Sequence, residues 1–102
     1  MGRLMTTLEQ RLYLGDRAGE VLENEAFIAA FEAIEKDVIE QWSNSPARDE
    51  AGRQSLWQYL QMARKFKANL QTTMETGKLA KLELQHKQTL ADKARGWLSR
   101  AA

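Results

Sequence analysis

The 102-residue chain contains no cysteine, one proline and one histidine. Without cysteine there is neither a disulfide framework nor a thiolate zinc site, a usage that fits a reducing cytosol. A single histidine leaves little from which to build a nucleophile–base–orienter triad. The longest uninterrupted apolar run is the six residues 26–31, far short of the ~20 needed to span a bilayer. The opening stretch MGRLMTTLEQ holds no apolar core of signal-peptide length. Strand signals are missing too, since no segment alternates with period two between turn residues. These absences point to an intracellular protein with no membrane role, no cofactor, no metal and no catalytic site.

What is present is helix-forming. Glu, Gln, Ala, Leu, Lys, Arg and Met dominate, and these residues favour the helix most. Hydrophobic residues make up 43% and charged residues 28%, a globular mixture rather than that of a disordered chain. At this length one domain is expected, with room for one modest core.

The helix boundaries read as follows. Thr6 and Glu9 have capping-box spacing, which predicts a first helix over residues 6–22. Gly15, Ala18 and Gly19 lie along it, small enough to admit another backbone, although each glycine lowers helix propensity by about 1 kcal/mol. Asn24, followed by Glu25 in the first turn, predicts a second start. Phe27, Phe31, Ile34, Val38 and Trp42 then form an amphipathic stripe over residues 24–42. Ser43-Asn44-Ser45-Pro46 is the one clear loop. Proline is favoured at the first helical position, so Ser45 is expected to cap a third helix over residues 46–76, and the chain is expected to reverse as a helical hairpin. Leu56, Leu60, Ala63, Lys67, Leu70 and Met74 keep near-heptad spacing there. Gly77 is read as a left-handed cap before a fourth helix over residues 78–98. The alternative is a helix running through Gly77, too long to be covered by its two shorter neighbours and so demanding self-association.

Each chemical motif competes with a plainer account. Glu83 and His86 share the Glu-x-x-His spacing of di-iron bundles, but the motif occurs once and lacks partner carboxylates. Thr76-Gly77-Lys78 shares the end of a phosphate loop, yet Thr72 and Leu79 stand where that loop requires glycine and Ser/Thr. The carboxylates of residues 20–40 follow the polar face of a helix.

Charge is distributed unevenly. Residues 1–63 carry six Arg/Lys against eleven Asp/Glu, whereas residues 64–102 carry nine against three. The basic half could neutralise phosphates, with Lys78, Lys81, Lys87, Lys93 and Arg95 as candidate nucleic-acid contacts. It has no recognisable reader motif. Equally, it could pair with the acidic half, within the chain or across a subunit boundary. Trp42 and Trp57 are expected to pack together near the loop. Trp97 and Leu98 sit near a terminus and are candidate partner contacts.

Three stretches carry a resemblance. They are Leu22-Glu23-Asn24-Glu25-Ala26-Phe27-Ile28-Ala29-Ala30-Phe31, then Ser45-Pro46-Ala47-Arg48-Asp49-Glu50-Ala51-Gly52-Arg53, then Glu75-Thr76-Gly77-Lys78-Leu79-Ala80. In this order, over roughly residues 15–90, the chain resembles short helical proteins of tailed bacteriophages and prophages, encoded in the structural and packaging gene cluster. The resemblance implies an assembly or accessory role, in the bacterial cytoplasm or the virion, and carries no catalytic pattern. It also gives Arg48 and Arg53, close to the loop, a reading as partner contacts beside the plainer one of a capping network with Asp49. Expected partners are further copies of the chain, a phage or host protein, and DNA in a packaging role like that of a small terminase subunit. A helical oligomer that binds a host factor or a small signalling molecule is a third reading.

Overall fold

The computed structural model describes residues 6–101, so the first five residues of the opening stretch lie outside it. The described residues form three α-helices and no strand: α1 (Thr7–Glu23), α2 (Glu25–Asn44) and α3 (Glu50–Ala101). The capping box is present. Thr6 Oγ1 accepts from Glu9 N at 3.1 Å, and Thr6 N donates to Glu9 Oε2 at 3.4 Å.

Only Asn24 separates α1 from α2. Its backbone is extended (φ −68°, ψ 124°), which interrupts the helix for one residue. Its Oδ1 accepts from Phe27 N at 3.0 Å, replacing a partner that the first turn of α2 lacks.

The turn corrects one expectation. Ser45 does not cap α3 and Pro46 is not its first residue. Ser45 instead ends α2, its backbone N–H donating to Trp42 O at 3.2 Å and its hydroxyl to the same oxygen at 2.6 Å. A residue before proline is pushed out of the helical region, and Ser45 is extended at ψ 144°. Asp49 does the capping, accepting from Gly52 N at 3.1 Å through Oδ1. Asp matches Ser as a cap and adds a negative charge at the positive end of the helix.

At Gly77 the second of the two readings holds. The expected helices over 46–76 and 78–98 are one 52-residue helix. No glycine among the described residues has positive φ, so Gly77 is not a left-handed cap. Its role is steric. A Cβ at Gly77 would lie 2.7 Å from Gly15 Cα and 3.0 Å from Arg11 O, and a Cβ at Gly15 would lie 2.6 Å from Gly77 Cα. The small residues of α1 do admit another backbone, and it is that of α3.

Contacts along α3 run in the opposite order to those along α1 and α2. Arg11 reaches Glu83, Gly15 meets Gly77, Gly19 faces Met74, Lys67 covers Phe31, Arg64 pairs with Glu35 and Arg53 covers Trp42. The side of α3 that meets the other helices keeps a seven-residue repeat, with Leu56, Leu60, Ala63, Lys67, Leu70, Met74 and Gly77 all buried or half-buried. α1 lies closer to α3 than α2 does. Glycines permit the first approach, while Phe31, Val38 and Leu60 hold the second pair of helices apart.

The result is elongated. Its extents are 82 × 26 × 24 Å, the longest matching a 52-residue helix at 1.5 Å per residue, about 78 Å. The radius of gyration is 22.6 Å, against about 13 Å for a compact domain of this length. The buried hydrophobic residues among those described are accordingly few: Ala18, Phe31, Val38, Leu60 and Ala80.

Candidate functional site

The described residues present three surfaces: the turn, the basic side chains of α3, and an apolar face of α2 and α3.

At the turn, Arg48 is exposed. Arg53 is half-buried and engaged within the chain. Its guanidinium lies 3.9 Å from the centroid of the Trp42 ring, and Nη1 donates to Ser45 O at 3.3 Å. It thereby ties the end of α2 to the start of α3. Trp42 and Trp57 line the same hollows, but the group stacked on Trp42 is Arg53. Both rings stay well exposed, at 42% and 50%.

The basic residues of α3 are divided rather than gathered. Arg64 pairs with Glu35 at 3.1 Å, and Lys67 Nζ stands 4.7 Å from the centroid of the Phe31 ring. Lys78 and Lys81 line an open hollow with Asp16, Glu20 and Glu23 of α1. Lys87, Lys93 and Arg95 lie further along α3, where residues 85–100 are all exposed. Arg95 pairs there with Asp92. The five candidate nucleic-acid contacts thus fall into two groups, one against acidic α1 and one on the projecting end. Helix by helix the separation of sign is about the same as in the two halves of the sequence. α1 and α2 together carry three Arg/Lys against nine Asp/Glu, and α3 carries ten against four.

Trp97 and Leu98 stand on the projecting end at 64% and 60% exposure. Trp97 lines a shallow hollow with Lys93 and Arg100. Glu83 is engaged by Arg11 at 3.5 Å, and no group of three or more metal-ligating side chains comes together among the described residues. No helix among them is long and apolar enough to cross a membrane.

The third surface was not singled out in the sequence. Phe27, Ala30 and Ile34 of α2 and Tyr59, Met62 and Phe66 of α3 line an open furrow of about 390 Å³. Tyr59, Met62 and Phe66 are 58%, 67% and 59% exposed. They stand beside the stripe that meets α2 rather than within it. Their spacing carries the signal, for they recur at i, i+3 and i+7 one position to the side of the Leu60–Ala63–Lys67 stripe, which marks a second apolar stripe on one helix.

The chain matches no protein-family model, no curated protein and no solved structure.

Proposed function

We propose that the protein acts by binding rather than by catalysis, as a self-associating helical component. The associating unit is a helical hairpin, with α1 and α2 as the acidic arm and α3 as the basic arm. One observation carries the reading: the largest apolar side chains of α3, among them Trp57, Tyr59, Phe66 and Trp97, are at least half exposed. Of these, Tyr59 and Phe66 line one furrow with Met62, and contiguous apolar surface of this kind marks interaction sites. The resemblance to phage and prophage proteins adds the context of an assembly or accessory role, in the bacterial cytoplasm or the virion. The test of self-association is molar mass by light scattering and sedimentation over a wide concentration range. Mass above that of one chain, rising with concentration, is expected, and a monomer at the highest concentration overturns the reading.

A second reading, DNA contact in packaging, is favoured by the projecting end of α3. There Lys87, Lys93, Arg95 and Arg100 stand against Asp92 alone. Phosphate neutralisation predicts affinity that falls steeply with salt. Fluorescence anisotropy with labelled duplex DNA measures it, and no binding at low salt ends this reading.

A further inference from the structure

We infer that the furrow between α2 and α3 is covered by the same furrow of a second copy. The two-fold axis runs along the helices, so that each α2 lies antiparallel over the partner's α3. The inference rests on the self-association proposed above and specifies its surface and orientation.

Shape is the first argument. On α3 the furrow is bordered by large side chains, Tyr59, Met62 and Phe66. On α2 it is lined by Phe27, Ala30, Phe31 and Ile34, of which only Ala30 is exposed, and exposed Ala26 and Ala33 continue that outer edge at i−4 and i+3. A face with knobs along one edge and small residues along the other is self-complementary when a two-fold exchanges the edges. An axis along the helices makes that exchange. An axis across them sets knobs on knobs and alanines on alanines.

Charge selects the same axis. α2 carries Glu25, Glu32, Glu35, Asp37 and Glu40 against Lys36. The facing part of α3 carries Arg53, Arg64, Lys65 and Lys67 against Glu50. Arg53, Arg64 and Lys67 are engaged within the chain, which leaves exposed Lys65, three residues beyond Met62, as the cation that the acidic α2 of a second copy would meet, whereas α2 over α2 brings like signs together.

Area is sufficient. At their observed exposures, Tyr59, Met62 and Phe66 alone leave on the order of 400 Å² uncovered. That is about half of the ~800 Å² per partner of a standard interface. Leu90 and Trp97 occupy the same position of the seven-residue repeat as Met62. With the two projecting ends side by side, these residues extend the seam.

The test uses the full chain and two measurements. The first is the dissociation constant of wild type and of Phe66→Glu by sedimentation, with circular dichroism to verify helicity. The second exploits the absence of cysteine. Ala33→Cys and Met62→Cys chains are oxidised separately and as a mixture. A buried unpaired carboxylate should weaken the dimer about a hundredfold, and the mixed disulfide should form well above either homodisulfide. A wild-type oligomer that Phe66→Glu leaves intact, or one in which homodisulfides prevail, overturns this interface and leaves self-association standing. A wild-type monomer overturns both and assigns the furrow to a different protein. If Phe66→Glu loses its helicity, the disulfide pattern alone decides.

Discussion

Replacing Gly15 by alanine should destabilise the protein even though alanine is the better helix former. In an exposed helix interior the exchange gains about 0.5–1 kcal/mol. At Gly15 the added Cβ would lie 2.6 Å from Gly77 Cα and 3.2 Å from both Gly77 N and Thr73 O. Carbon atoms in good contact stand about 3.5–4.0 Å apart, so α1 and α3 must separate by about 1 Å. All three atoms belong to helical backbone, and no rotamer change relieves them. A gap of that size forfeits a quarter to a half of each facing dispersion contact along the seam. Overpacking of a tight site costs about 1–3 kcal/mol, and a backbone collision belongs at the upper end. Against the propensity gain, the net loss is about 2 kcal/mol, or roughly 8–16 °C in Tm for a domain of this size.

The other glycines supply the controls. A Cβ at Gly19 would meet only Met74 Sδ at 3.6 Å and Cγ at 3.7 Å, and one at Gly96 would meet nothing within 4 Å. Gly19→Ala and Gly96→Ala should therefore hold or raise stability, while Gly15→Ala and Gly77→Ala lower it. Urea and thermal melts followed at 222 nm, at one fixed protein concentration because self-association stabilises by mass action, separate the two pairs. Gly15→Ala as stable as wild type would refute the reasoning, since propensity would then outweigh the contact.

Three further outcomes follow from single contacts. Arg53→Ala removes the stacking on Trp42 and the bond to Ser45 O, which should cost about 1 kcal/mol and alter Trp42 emission; an unchanged melt and spectrum would contradict the clamp. Asn24→Ala removes the cap of α2 and should cost about 1 kcal/mol in urea melts. Glu83→Gln breaks a largely exposed ion pair with Arg11, so its effect should stay below about 1 kcal/mol and fade at high salt.

Much of the local structure was legible in the sequence. Thr6 with Glu9, Asn24 with Glu25, and the stripe Phe27–Phe31–Ile34–Val38 each combine a helix signal with an amphipathic period, and local signals of this kind need no knowledge of the rest of the chain. The misplaced start of α3 and the open choice at Gly77 arose where one residue type serves two purposes. Gly77 is compatible with a left-handed cap or with close approach, and the residue that decides, Gly15, lies far away in the sequence. Ser45 and Asp49 are both good caps, and Pro46 made Ser45 attractive. The choice went to the residue whose own carboxylate reaches Gly52 N. The apolar face was missed for a related reason. An apolar stripe shows that a helix side wants cover, but not whether the chain itself supplies it. Tyr59, Met62 and Phe66 are spaced as core residues are, and only the position of α2 reveals them as left outside.

The two parts of the molecule divide the work of cohesion and of recognition. Where α1 meets α3, Gly15 and Gly77 bring the backbones together, and small residues such as Ala18 and Ala80 complete a seam that leaves little apolar surface between the helices. Where α2 meets α3, Phe31, Val38 and Leu60 fill the centre but keep the helices apart, which opens furrows beside them. A protein whose core was its only requirement would gain by carrying the glycine seam through α2 as well. Keeping the helices apart there leaves apolar side chains in water at about 25 cal/mol for each Å² exposed, a standing cost that a partner would recover. Stability and binding can then be separated by substitution. Changes at Gly15 and Gly77 should act on folding, and changes at Met62 and Phe66 on association.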